Sequence, residues 1–442
     1  MKEVCMMKHF LRPAALFCTA LCCLALAGCR APMPGAQPQS STAPAAQQSS
    51  LVAFSSLAQN ISEAGYYNIL YTGDAEHTIY LLSLYDFSAK QHRILCDKEG
   101  CTHTDETCDA YLQASTLVAR PGALYTICPR YFTDQADESG LADFVAMDAG
   151  GQNRRTLSAV SDGWDFFGID KQYLYGFCED AFGRISLADG TETYLLRNAR
   201  SAFWLWGKVA GVWNGQFVTV QWGDDTRVDA IEIGLLSPEG AYTALGTVPA
   251  GRFLPYSGSV LLGGTLYYID NSNGAVMGFS LENGETREVS RALCQYDRDE
   301  GSGFHACERW YLATAGGTLL AMVTGLDSES PWLSTPHQVD IATGAAQPLS
   351  LRQEYRSEEP GGVVFDGPGW NAVPDFVTPI AETPQGLFVA CAYEFYTASY
   401  PGEDGQPVEY PGSRPVYALI SPEDYLAGTP NFQEIQNLPL PA

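Results

Sequence analysis

Two short sequence patterns alternate along the chain, and this alternation restricts the fold more than any other feature. The first pattern is a turn residue followed by an apolar run that contains an aromatic or large aliphatic residue. Its copies align on seven anchor residues: Tyr67, Tyr125, Tyr175, Phe217, Tyr267, Leu320 and Phe388. The second pattern is a strand, a turn and a polar strand, as in 280–289, where Asn283-Gly284 supplies the turn. Because Gly readily adopts the positive φ that a tight hairpin requires, each second pattern predicts a hairpin.

One anchor strand, one hairpin and a short strand upstream make a four-stranded unit. A unit of roughly 40–50 residues matches the period of a propeller blade. A blade cannot bury both faces alone, so the copies are expected to close into a ring. The sequence therefore predicts an all-β chain with a β-propeller over residues 61–442. Seven blades are counted, six or eight remain compatible with the spacing, and one or two β-sandwiches are the alternative.

The first 28 residues have the organisation of a bacterial lipoprotein signal peptide. A basic start with Lys2, Lys8 and Arg12 precedes an apolar run over residues 13–27. Fifteen residues are too few for a permanent membrane span, which needs about 20. The run ends at Leu-Ala-Gly-Cys, so Cys29 is the predicted lipidation site and first residue of the mature protein. An ordinary signal peptide with a chance cysteine is the alternative.

The residues after Cys29 are predicted to form a tether. Ala, Pro, Gln and Ser dominate the stretch through Ser50, which carries one charge. Such a composition cannot bury enough apolar surface to fold, and the predicted tether spans residues 29–60. A diacylglycerol anchor would hold the protein to the outer side of the cell membrane.

The formal net charge of −26 argues against nucleic-acid binding, because phosphates and carboxylates repel each other.

Three cysteines and a histidine are concentrated in an insertion over residues 96–111, just after the first predicted hairpin. Cys96, Cys101, His103 and Cys108 provide three sulfur ligands and one imidazole, a set that can complete a tetrahedral zinc site. Four protein ligands would fill the coordination shell, which favours a structural metal. A disulfide with one cysteine left over is the equally supported alternative, because an exported chain meets an oxidising environment.

The C-x4-C-x-H-x4-C insertion, with Tyr111 close behind, resembles one in lipoproteins of Gram-positive, mostly anaerobic bacteria. Those proteins are also similar to this chain in their lipobox, polar tether and propeller-like repeats of the type seen at 147–157. The resemblance implies a cell-surface location and a propeller fold. It implies no activity.

Other candidate residues lie elsewhere in the chain. Cys294 and Cys307 flank a polar turn and are a candidate disulfide. Aromatic residues that can stack on a sugar ring, or simply pack between blades, are Trp204, Trp206, Trp213, Trp222 and Trp370. Protease, hydrolase and nucleotide-binding motifs are absent from the sequence, and no catalytic residue is assigned.

These features predict a surface lipoprotein that acts as a non-catalytic binding or protein-interaction propeller. Its expected targets are a glycan, a peptide or a neighbouring envelope protein. The alternative is an extracellular glycan hydrolase or lyase that uses carboxylates at the mouth of the ring. Apart from the possible structural zinc, no cofactor is indicated.

Overall fold

The computed structural model describes residues 50–54, 58–73, 78–130, 140–179, 181–197, 208–222, 230–249, 259–270, 273–292, 307–325, 336–357, 376–401 and 407–439. They belong to one compact unit that begins at Gln48. Nearly every regular element in these ranges is a β-strand. Within them, no helix has the length and apolarity that crossing a bilayer requires.

The strands form seven small sheets, which we number as blades 1 to 7 in chain order. The strands of the first four blades, preceded by an N-terminal strand, are β1 (Val52–Ala53), β2 (Gly65–Gly73), β3 (Thr78–Asp86), β4 (Gln91–Ile94), β5 (Thr116–Arg120), β6 (Ala123–Pro129), β7 (Leu141–Asp148), β8 (Arg155–Ser161), β9 (Trp164–Ile169), β10 (Tyr173–Cys178), β11 (Ala181–Ser186), β12 (Glu192–Leu196), β13 (Lys208–Trp213), β14 (Gln216–Trp222), β15 (Ala230–Leu236) and β16 (Tyr242–Pro249).

Blades 5 to 7 contain the remaining strands. They are β17 (Val260–Leu262), β18 (Thr265–Asp270), β19 (Ala275–Ser280), β20 (Thr286–Ser290), β21 (Cys307–Ala315), β22 (Thr318–Gly325), β23 (His337–Val339), β24 (Ala346–Pro348), β25 (Glu354–Ser357), β26 (Thr378–Thr383), β27 (Gly386–Pro401), β28 (Pro407–Ile420) and β29 (Gln433–Glu434). A helix of six residues, α1 (Pro422–Ala427), joins β28 to β29. Ser421 caps its first turn and Gly428 ends it.

The predicted seven-bladed propeller is confirmed. Consecutive strands pair in antiparallel fashion within each sheet, and only β25 joins its neighbour β27 in parallel. The seven anchor residues occupy equivalent strands, as expected from the repeat. In blades 2 to 7 that strand follows the strand nearest the axis, whereas in blade 1 it is β2, the first of the three strands that the structure describes. The anchors are buried except Tyr125, which is half-buried, because the second strand is covered on both faces by the neighbouring blades.

Apolar side chains between neighbouring blades hold the ring together. Separate clusters of buried residues lie at each of the seven junctions, and from blade 4 to blade 7 the first strands of successive blades also contact one another. Phe217 illustrates the arrangement. It is fully buried and packs against Phe167 and Tyr175 of the preceding blade, with the Phe167 and Phe217 ring centroids 5.0 Å apart. Burial of a side chain this size stabilises the junction by about 2–3 kcal/mol.

Blade 7 meets blade 1 to close the ring. Tyr66 of blade 1 packs against Phe388 and Tyr417 of blade 7, with ring centroids 5.4 and 5.6 Å away. Gln436, just after β29, pairs with the outer strand of blade 1: its carbonyl accepts from the N–H of His92 at 2.8 Å, and its N–H donates to the carbonyl of Lys90 at 2.9 Å. The seam therefore joins segments from opposite ends of the sequence.

The N-terminal strand β1 extends blade 3 on the side that faces the axis. Val52 pairs with Ile169 and Ala53 with Gly168, while Leu51 is buried among aromatic residues at the junction of blades 3 and 4. Residues 58–61 then reach blade 1, where Ile61 bridges to Tyr66. These residues fall inside the segment 29–60 that the sequence analysis assigned to the tether. Since their apolar side chains and backbone groups are held by the sheets, the folded part begins at Leu51 rather than at residue 61.

Glycine is needed in the third-to-fourth-strand turns for a second reason besides positive φ. Gly344 has φ of 75°, and a Cβ placed on it would lie 2.5 Å from the carbonyl oxygen of Val289 in the preceding blade. Gly284 would similarly meet Leu245, and Gly151 would meet Leu82. The hairpin turns therefore abut the preceding blade so closely that only a hydrogen fits.

We expect Gly344→Ala to destabilise the ring more than Gly317→Ala. Both glycines have φ of 75°, but nothing lies within 4 Å of a Cβ at Gly317. The two variants therefore share the left-handed backbone penalty of about 1–2 kcal/mol. Gly344→Ala also separates two blades, which adds about 1–3 kcal/mol. Urea unfolding of both variants checks this, and equal losses would contradict the close contact.

Candidate metal centre

The Cys/His insertion replaces part of the outer strand of blade 1. β4 pairs with β3 as far as Leu95, whose N–H donates to the carbonyl of Leu82 at 3.0 Å. The chain then leaves the sheet and returns at Ala110, whose carbonyl accepts from the N–H of Leu82 at 2.8 Å. Leu112 continues the pairing by donating to Tyr80 at 2.9 Å. Residues 96–109 thus form a loop that starts and finishes on one edge of β3.

Two backbone conformations and a side-chain cap fold this loop back on itself. Gly100 and His103 have φ of 71° and 58°, values that reverse the chain direction. The Asp105 carboxylate accepts from the Thr107 N–H at 2.8 Å, which shapes the turn leading into Cys108. The insertion is therefore built from successive tight turns rather than from a strand or helix.

These turns bring all four predicted ligands together. One ligand atom from each of Cys96, Cys101, His103 and Cys108 lies within 4.8 Å of every other. The Nδ1 atom of His103 is 3.2 Å from the Sγ atom of Cys108. Tetrahedral zinc, with Zn–S near 2.3 Å and Zn–N near 2.0 Å, needs its ligand atoms roughly 3.5–4 Å apart. The cluster can therefore hold a metal ion with little rearrangement, and its three thiols are unpaired in this structure.

The protein environment shifts the pKa values of two of the cluster thiols in opposite directions. Burial raises the pKa of the Cys108 thiol to about 12. At Cys96 burial acts in the same direction, but hydrogen bonds from the backbone of Lys98 and Asp109 and from the neighbouring cluster thiols together outweigh it and lower the pKa of that thiol. Backbone donors of this kind stabilise a thiolate. A bound cation would favour the deprotonated form of every coordinating thiol.

One side of the cluster rests on apolar residues of blade 1. Cys108 is buried together with Leu81 and Ala110, and the half-buried Ile79 and Ile94 pack against them. Cys96, Cys101 and His103 are half-buried. With four protein ligands and an apolar floor, the arrangement matches a structural metal site rather than a catalytic one, which keeps a coordination position open.

Arg154 of blade 2 fixes the end of the insertion, a role that the sequence analysis did not identify. Its guanidinium donates to the carbonyl of Tyr111, to that of Asp109 at 2.7 Å and to that of Gly151 at 2.9 Å. Burial lowers the pKa of this side chain, but it remains a cation. The sequence shows Arg154 only as part of a hairpin repeat, and nothing in that pattern points to a loop of another blade.

Three of the remaining candidate residues fall in described strands, and none of these strands belongs to blade 1. Trp213 is half-buried at the end of β13, where it packs against the apolar cluster between blades 4 and 5. Trp222 ends β14 and Cys307 begins β21. The others lie outside the described residues: Cys29, Trp204, Trp206, Cys294 and Trp370. Their assignments stay predictions.

No protein-family model matches the chain, and no curated protein does. Solved structures that are similar to it are propellers at low identity. A predicted 6-phosphogluconolactonase from Bacteroides fragilis is 12% identical, with a TM-score of 0.37, over 78% of this chain and 93% of its own. The GH74 xyloglucanase from Xanthomonas campestris is 12% identical, with a TM-score of 0.38, over 82% and 59%. TolB from Acinetobacter baumannii is 11% identical, with a TM-score of 0.31, over 84% and 80%. Such distant similarity carries no activity over to this chain.

We expect Arg154→Met to loosen the insertion, with Arg155→Met as the matched control. The first change leaves three carbonyl oxygens without their shared donor, whereas Arg155 is exposed. Loss of this half-buried donor costs about 1–3 kcal/mol. Hydrogen exchange of residues 96–112 should accelerate in Arg154→Met alone. Unchanged exchange would show that Arg154 does not hold the insertion.

Proposed function

We propose that this protein is an exported lipoprotein, anchored through Cys29, whose propeller acts as a non-catalytic binding or protein-interaction module. A glycan, a peptide or a neighbouring envelope protein is the proposed target. The lipobox and the polar tether support the anchor. The observation that carries the binding role is the unequal length of the connections at the two ends of the blades.

The connections between the first and second strands are short in every blade for which both strands are described. They contain two or three residues, as at 121–122 and 263–264. Most connections from one blade to the next are longer, as at 95–115, 197–207 and 291–306, whereas the connection between blades 2 and 3, at 162–163, has two residues. Long segments held at one end of a rigid ring are typical of protein recognition surfaces. Most of the predicted ligand-contact tryptophans also fall in, or directly border, connections at that end.

We further propose that Cys96, Cys101, His103 and Cys108 bind one structural zinc ion. The separation of the ligand atoms supports this assignment, as does the donor set, which suits zinc better than calcium or magnesium. The ion would hold the turns of the insertion against β3. The ion would stabilise the conformation of a surface loop and would take no part in a reaction.

The zinc proposal predicts about one zinc per chain after purification under reducing conditions. Cys108→Ser should lose the metal, whereas Cys128→Ser should retain it, since Cys128 lies in β6 and is not one of the four clustered ligands. Elemental analysis measures both. Absence of metal, together with an oxidised Cys96–Cys108 pair in the native protein, would overturn the zinc assignment.

The anchored binding role predicts two separable results. Full-length protein should partition with the membrane fraction, and Cys29→Ala should move it to the aqueous fraction, because the thiol is the predicted acyl attachment site. Residues 48–442 should bind a defined class on glycan and peptide arrays. If Cys29→Ala releases the protein from the membrane but residues 48–442 bind nothing on the arrays, the proposed anchor stands and the result counts against glycans and peptides as targets. If the protein instead turns over a glycan, and substitution of one carboxylate abolishes that turnover, the hydrolase alternative is favoured.

A further inference from the structure

Each blade has two ends that differ in kind. The pairing of Tyr173 with Ser186 in blade 3, and of Thr265 with Ser280 in blade 5, places two sets of connections at one end: those between the first and second strands and those between the third and fourth. We call this end the tight-turn face. The connections between the second and third strands and those between blades lie at the opposite end, which we call the loop face.

The chain enters the propeller at the tight-turn face. Val52 pairs with Ile169, the last residue of β9 before the short turn to β10. Because β1 is antiparallel to β9, the residues before Val52 continue past that turn and out of the ring. Leu51 is still buried, whereas Ser50 is exposed. Ser50 therefore marks the place where the chain leaves the propeller.

This entry point is close to the axis and is fixed on both sides. β1 lies on the axial side of β9 and contacts β13, the first strand of the next blade. Farther along, the carbonyl of Gln59 accepts from the N–H of Ala119 in blade 2 at 2.8 Å, and that of Asn60 accepts from Tyr67 in blade 1 at 2.9 Å. Residues 51–54 and 58–60 are thus held against strands of blades 3, 2 and 1, so the entry point cannot swing out to the rim.

We propose that the tight-turn face of this propeller is directed at the membrane and the loop face away from it; this orientation rests on the proposed anchor at Cys29. A tether of residues 29–50 has a root-mean-square length of about 25 Å if it behaves as a flexible coil. To turn the loop face toward the bilayer, the tether would cross roughly 15–20 Å of blade to the rim. It would then run roughly 20–25 Å along the strands. That path is well beyond its average length, so chain entropy opposes the inverted orientation.

In this orientation the loop face is the surface that partners outside the cell can reach. The Cys/His insertion, which connects blade 1 to blade 2, lies toward this face. A partner bound there approaches from outside the cell rather than from the bilayer. Exposed carboxylates such as Asp189 and Glu282 lie in turns of the tight-turn face, so anionic headgroups repel it. The tether, rather than adsorption, therefore holds the propeller near the membrane.

Energy transfer from dye-labelled protein to acceptor lipids tests the proposal. The lipidated full-length chain is placed in phosphatidylglycerol-containing vesicles, with a donor dye on Glu282→Cys at the tight-turn face or on Asp162→Cys at the loop face. Both positions are exposed, and both changes remove one carboxylate. The parent chain, labelled in parallel, measures the contribution of native thiols. We expect at least twofold more efficient transfer from the residue 282 position.

A second variant separates tether entropy from other causes. Duplication of residues 31–50 lets the tether reach around the rim, so the difference between the two dye positions should shrink. Equal or reversed transfer with the native tether would overturn the orientation while leaving the anchor intact. Failure of the full-length chain to float with vesicles, with no difference from Cys29→Ala, would overturn the anchor and the orientation together.

Discussion

The packing of each blade against its two neighbours is the interaction on which the whole structure depends. A single sheet of three to five strands has two apolar faces and no means to bury both. Phe217 shows the solution, since its ring fills the space between blades 3 and 4 and belongs equally to both. Because each junction takes a face from two sheets, no blade is stable by itself and the arrangement is complete only as a closed circle. The turn at Gly344 follows from the same constraint, as blades this close leave room for a hydrogen but not for a methyl group.

The architecture was predictable because its determinants are local and repeated. Anchor residues and hairpin glycines recur at blade-length intervals, so the blade count and the second-strand burial could be inferred without knowing any contact. The position of β1 could not be predicted, since Val52 and Ala53 are two ordinary residues whose partners lie more than a hundred positions away in β9. The parallel strand β25 was missed for the same reason. Pairings that occur once in a chain leave no periodic signal.

The residue types and their spacing predicted the metal cluster, and the structure shows how the four ligands are brought together. Four ligands within thirteen residues identify the ligand set, but their convergence depends on left-handed backbone at Gly100 and His103. A positive φ at histidine is not visible in a sequence. The support from Arg154 was equally hidden, because it crosses from one blade to another. Local spacing thus indicates which residues can act together, while the surrounding fold determines whether they do.

The seam between blades 7 and 1 has a consequence for how the protein acquires its structure. Gln436 completes the outer strand of blade 1 at His92, so the earliest blade waits for a partner synthesised more than three hundred residues later. Until then the aromatic face around Tyr66 has no cover. Contacts of such long range form slowly, and the uncovered face is prone to aggregate in the meantime. Any cell that makes this protein must therefore shield a half-finished ring until its last blade arrives.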